Sequence, residues 1–170
     1  MRITSLVIIA TMISGCASTY KQTNLTEPAA KLLKAGSVVI ATPANGSYET
    51  KEYAKSGEMT ALAVQAAFAK FTNTITVSPD CKEFACLKKN CSATSDYYVI
   101  SEILHWEDRA TEWSGIPDKI EVKLSIYEGQ NWKEIASTII SGKSKWATFG
   151  GDHTQDLLSD PLNKYVESLY

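Results

Sequence analysis

Residues 119–127 (KIEVKLSIY) alternate without a break: Ile120, Val122, Leu124 and Ile126 fall on one side, Lys119, Glu121, Lys123 and Ser125 on the other. A period of two over nine residues is the signature of a strand with one face on a core and one toward water. No other run restricts the fold as tightly, because such a strand needs neighbours on both edges. Residues 97–106 (YYVISEILHW) are aromatic and β-branched and supply one neighbour. Residues 133–142, after the turn Glu128-Gly129-Gln130-Asn131, supply the hairpin partner.

Upstream, residues 37–41 (SVVIA) read as a short buried strand closed by Thr42-Pro43 and the Asn45-Gly46 turn signal, and residues 75–78 as another. Between them, residues 58–72 carry Ala61, Val64, Phe68 and Phe71 at helical spacing, with Ser56 placed to cap. Residues 81–90 predict a short helix. The last helix is expected to start with Asp160 as cap and Pro161 in first position, burying Leu162, Tyr165, Val166 and Leu169. The expected order is β-α-β-α-β-β-β-α: an α/β fold, one compact domain, a mixed five-stranded sheet with helices packed on it.

The N-terminus predicts an address. Arg2 precedes an apolar run from Leu6 to Ile13, and the first acidic residue is Glu27. The run is shorter than the ~20 residues that cross a bilayer, so residues 1–15 read as an export signal. Ile13-Ser14-Gly15-Cys16 resembles a lipobox, which implies cleavage after Gly15 and a lipid on Cys16. Ala17 follows the cysteine and no aspartate does; by resemblance to lipoprotein sorting in enteric bacteria, this implies the outer membrane, facing the periplasm. Residues 16–31, polar and without a sustained period, are expected to be the lipidated cysteine and a flexible tether able to reach about 50 Å. Residues 32–170 form the globular domain. The formal net charge of −2, without a basic cluster, argues against a nucleic-acid partner.

Three cysteines follow Cys16: Cys81, Cys86 and Cys91. In an exported chain such thiols tend to oxidise. Across a helix, Cys81 and Cys91 would stand roughly 15 Å apart, beyond the ~7 Å Cα limit for a bridge. Cys81 with Cys86 is the preferred pair. The even spacing lacks the tight pair typical of zinc sites, and no metal or cofactor is expected.

The densest polar cluster is residues 105–119 (HWEDRATEWSGIPDK). It is read as a connection exposing Trp106 and Trp113 beside Glu107, Asp108, Arg109, Glu112 and Asp118, a surface for an envelope protein or glycan. The competing reading is a self-contained turn, with Arg109 paired to a neighbouring carboxylate and the tryptophans packed on the sheet. Residues 145–156 (KWATFGGDHTQD) hold Gly150-Gly151 before Asp152-His153, without the spacing of a phosphate-binding loop. The two histidines, His105 and His153, form no catalytic signature, and His105 reads as a hydrogen-bonded sheet residue.

The stretches WEDRATEWSGIPDKIEVKLSIYE, DYYVISEIL and FGGDHTQDLLSDPLNKYV resemble a family of Gram-negative lipoproteins of uncharacterised function, with W-E-D-R-x-T-E-W-S-G as its most specific run. That resemblance implies a location and no activity. The element order is also similar to small periplasmic domains: the N-terminal part of TolB, LpoB and CsgG, which are binding or assembly modules. The leading expectation is a non-catalytic outer-membrane lipoprotein that binds an envelope protein or glycan. The alternatives are a cell-wall or surface-polysaccharide hydrolase using Glu107, Asp108 and Glu112, and a structural subunit that self-associates through a sheet edge.

Overall fold

A computed structural model describes residues 18–90, 95–109, 115–145 and 153–170. In chain order these form β1 (Thr19–Thr26), β2 (Val38–Ala41), β3 (Ser47–Tyr48), β4 (Lys51–Glu52), α1 (Ser56–Phe68), β5 (Ile75–Ser78), α2 (Phe84–Asn90), β6 (Tyr97–Glu107), β7 (Lys119–Glu128), β8 (Glu134–Lys143) and α3 (Asp156–Leu169). Six strands make one sheet in the order β1-β8-β7-β6-β2-β5, and β3 and β4 pair as a small hairpin. The first four strands of that order run antiparallel, whereas β6, β2 and β5 run parallel, so the sheet is mixed.

The alternation of β7 holds for its inward set, with Ile120, Val122, Leu124 and Ile126 buried, whereas Ser125, expected to face water, is buried as well. The inward set joins Val38, Ile40 and Val99 and the apolar stripes of α1 and α3 in the principal core. The opposite face of β2 turns Val39 and Ala41 toward a second, smaller core with Tyr98, Cys81 and Leu87 of α2. So α1 and α3 cover one face, and α2 covers part of the other.

The main sheet has one strand more than the sequence suggested, and the β3–β4 hairpin is a further addition. Residues expected to be a loose tether form β1, which pairs with β8 from Thr19↔Lys143 to Thr26↔Ser137. Nothing local announces it, because an edge strand outside both cores buries almost nothing and keeps a polar surface: seven of its eight residues are exposed. Its partner supplies the reason for it. Without β1 the ten-residue β8 would leave a long row of backbone groups open. The five-stranded expectation is therefore corrected to six.

Two helix starts also differ. Helix α1 begins at Ser56, whose side chain serves the hairpin instead of a cap: its Oγ accepts from Gly46 N–H at 2.8 Å and donates to the Tyr53 carbonyl at 2.7 Å. Gly57 is required beside it, since a Cβ there would lie 2.2 Å from the Pro43 carbonyl oxygen. Helix α3 starts at Asp156, a turn earlier than expected, so Pro161 lies inside it. Burial of Leu157 and Leu158 extends the apolar stripe backward, and the Asp156 carboxylate accepts from His153 N–H at 2.9 Å.

Candidate functional site

Strands β6 and β8 end where β7 and β1 begin, so four strands present their charged residues at one end of the sheet. On the face away from α1 and α3, cross-strand register lines up two rungs. The outer rung is Thr19, Lys143, Lys119 and Glu107; the inner is Lys21, Ser141, Glu121 and His105. A bulge in β6 makes this possible. Ile103 opposes Val122 and His105 opposes Glu121, leaving Leu104 as the extra residue. A single inserted residue exchanges the two faces of everything after it. It swings Trp106 into the core and brings His105 and Glu107 onto the open face.

Glu107 is the hub of the outer rung, 1% exposed. Arg109 Nε donates to its Oε1, while His105 Nε2 and Lys119 Nζ lie 3.1 and 3.3 Å from Oε2. Burial pushes the Glu107 carboxyl up, and the hydrogen bonds from His105, Arg109 and Lys119 outweigh it, holding the group below the usual carboxylate range. Tyr48 of the β3–β4 hairpin closes the cluster, its ring 5.1 Å from both the Arg109 guanidinium and the His105 ring centroid. An ionised carboxylate with both oxygens occupied is suited to fixing its three partner side chains in place and poorly suited to donating a proton.

Beside the hub runs a groove of about 630 Å³, lined by Lys21, Leu104, His105, Lys119, Glu121 and Lys143 among others. The Ser141 hydroxyl donates to Glu121 at 3.1 Å. Among the described residues, neither Lys21 nor Lys143 makes an ion pair.

The expected recognition surface is not laid out as the sequence suggested. Trp106, 2% exposed, packs in the principal core. Its ring fits over Gly46, where a Cβ would come within 2.6 Å of both Ile103 and Trp106. Asp118 is buried, its Oδ1 accepting from Arg109 N–H at 2.7 Å, its own N–H donating to Ser144 Oγ at 2.9 Å. Burial raises the Asp118 carboxyl, and the nearby charges of Asp108 and Glu107 add to the rise. Asp108 and Arg109 keep partial exposure. Glu112 and Trp113, like Cys16, Cys91 and most of the 145–156 loop, lie outside the described residues. The lysines of the groove were the part that sequence reasoning missed. The outward positions of β7 already pointed to Lys119, but Lys21 and Lys143 join it only through a register that spans the whole chain.

Cys81 and Cys86 are joined, with Cα atoms 5.3 Å apart. No group of three His, Cys, Asp or Glu residues that could hold a metal occurs among the described residues, and no described helix is long and apolar enough to cross a membrane.

Residues 30–169 match the family model described as Domain of unknown function (DUF4823). No curated protein matches the sequence. In fold the chain is similar to the PelC dodecamer from Paraburkholderia phytofirmans, with a TM-score of 0.66 at 15% identity, over 89% of this chain and 96% of that one. It is also similar to a variant of the same protein in another crystal form, with a TM-score of 0.61 at 13% identity and the same coverage. Protein XCC0632 from Xanthomonas campestris, of the DUF330 family model, follows with a TM-score of 0.53 at 13% identity, over 85% and 89% of the two chains. The fold thus groups with PelC and DUF330-type domains, which corrects the expected likeness to the TolB N-terminal domain: element order along the sequence hid β1 at the sheet edge.

Proposed function

This chain belongs to the DUF4823 family, a domain of unknown function, and we propose that it works as a self-associating subunit of the cell envelope, anchored by a lipid on Cys16 and joined to further copies along β1. The observation that carries the reading is the outer edge of β1. Eight residues long, it has β8 on one side and no strand on the other among the described residues. Exposed edges invite pairing with another chain, and proteins usually blunt them with charge, proline, bulges or a cover. β1 has one lysine, Lys21, and its bulge falls only at the far end between Asn24 and Thr26, so residues 19–24 keep a regular register. Leu25, at that bulge, is 51% exposed.

Two further points support this reading. The crystallised protein with similar fold is described as a dodecamer, and that arrangement comes to this chain as part of the proposal. The lipobox-like Ile13-Ser14-Gly15-Cys16 supports anchorage, and an outer-membrane lipoprotein facing the periplasm would meet its own copies on a two-dimensional surface. The leading expectation, binding of an envelope protein or glycan, loses one of its two tryptophans with Trp106 in the core, and the hydrolase alternative loses Glu107 as a proton donor.

Bifunctional crosslinking in intact envelopes tests the proposal. A ladder at multiples of the single mature chain's mass, made only of this chain, is expected. Crosslinks solely to other envelope proteins, or none at any crosslinker length, would contradict it.

A further inference from the structure

Resting on the reading of Cys16 as the lipidated residue, we propose that the basic groove at the Thr19 end of the sheet docks on the phosphate headgroups of an anionic bilayer, so that the domain lies against its membrane in one orientation. Two observations meet here. First, β1 begins at Thr19, and only Ala17 and Ser18 separate it from Cys16. A fully extended chain covers at most ~3.6 Å per residue, so Thr19 stays within about 11 Å of the residue that carries the lipid. A tether of residues 16–31 would have left the domain free to face any way. A strand starting at Thr19 does not.

Second, the surface held at that distance is basic. Lys143 opposes Lys119 in register, and Lys21 stands one rung further in. Lys119 is already paired with Glu107, which leaves Lys21 and Lys143 as the groove's lysines without an ion pair among the described residues. The acidic groups nearby are already engaged. Glu121 accepts from Ser141, while Glu107 is held by Arg109 and His105 as well as Lys119. The groove is wide enough, at about 630 Å³, to admit a headgroup. Electrostatic attraction to an anionic surface fades beyond about one Debye length, ~8 Å at physiological ionic strength. The short leash holds the groove near that range, where each lysine strengthens partition roughly fivefold.

The test is lysine footprinting of the full chain purified from envelopes, in nanodiscs of phosphatidylcholine alone or mixed with phosphatidylglycerol. Amine acylation of Lys21 and Lys143 is expected to slow at least about fivefold in the mixed discs, while Lys70, beyond the far end of α1, and Lys88, in α2, react at unchanged rates. A third arm adds inorganic phosphate to phosphatidylcholine discs. If phosphate alone slows both lysines as much as phosphatidylglycerol does, the groove binds a soluble anion and the docking proposal is overturned. Equal rates in both discs on a chain of acylated mass overturn it while leaving the anchor intact. An intact mass without acyl chains removes the anchor, and this proposal with it.

Discussion

The open face of the sheet has two ends built on the same three strands, β6, β7 and β8, and they are opposites. At one end α2 lies over a largely apolar aromatic cluster. Tyr98 stacks on Trp132 with centroids 4.2 Å apart, Phe84 meets Tyr127 at 4.3 Å, and Leu87 is fully buried. The Cys81–Cys86 bridge staples the approach to that helix. At the other end no helix covers the face among the described residues, and charged rungs centred on Glu107 take its place. Apolar contacts at the first end are non-directional and add to stability. The ion pairs at the second hold side chains in fixed positions beside an open groove and add less. The contrast divides the labour of the face: one end keeps the sheet folded, the other meets the surroundings.

The first way to break this contrast is at the apolar end. Leu87→Ala should cost about 2–5 kcal/mol, because it opens a cavity under α2. Denaturant unfolding checks it, and a loss below 1 kcal/mol would mean that α2 is not part of the core. Replacing Cys81 and Cys86 together by serine should cost about 2 kcal/mol, the modest figure for a short loop. Hydrogen exchange should rise in α2 and stay unchanged in β7.

At the charged end, Glu107→Gln should cost about 1–3 kcal/mol, since a buried acceptor of three donors loses its charge. The same variant tests the sign of the pH dependence. Glu107 has its pKa lowered in the folded chain from an ordinary value of 4.5. Its contribution is therefore fully present above that pH and lost as the pH falls below it. Thermal unfolding of the parent chain should weaken below pH 4.5 more steeply than that of Glu107→Gln. Parallel acid limbs for the two would show that Glu107 is not held as described. Asp118 acts in the opposite sense, its raised pKa costing stability at neutral pH.

Much of this contrast was legible in the sequence, and the reasons it stopped short are specific. The alternation of residues 119–127 displays its two faces because one is buried and one wet. The disulfide followed from the exported context together with helix length, which ruled out Cys81 with Cys91 and left Cys81 with Cys86 as the preferred pair. The sequence allows Trp106 two places, exposed in the connection or packed on the sheet, and the bulge that puts it in the core is a pairing event between β6 and β7 with no local signature. β1 escaped notice for a similar reason: Thr23 finds Ile139 across the length of the chain. Its own residues are ordinary strand formers in a polar run, and only the vacant edge of β8 makes them a strand. The groove inherits both blind spots, since His105 depends on the bulge and Lys21 on β1.

The smallest expected effect on folding is also the most informative about function. Leu25→Lys places a charge at the exposed bulge of β1, where a surface change should shift stability by no more than about 0.5 kcal/mol. The central claim is that β1 joins copies of this chain. Light scattering on the purified full chain, with the detergent contribution subtracted, tests it directly. The parent chain should show a mass several times that of the single mature chain, and Leu25→Lys should shift it toward the single-chain value with unfolding unchanged. A parent chain that is a monomer at every concentration would contradict the claim, as would a Leu25→Lys assembly of undiminished mass.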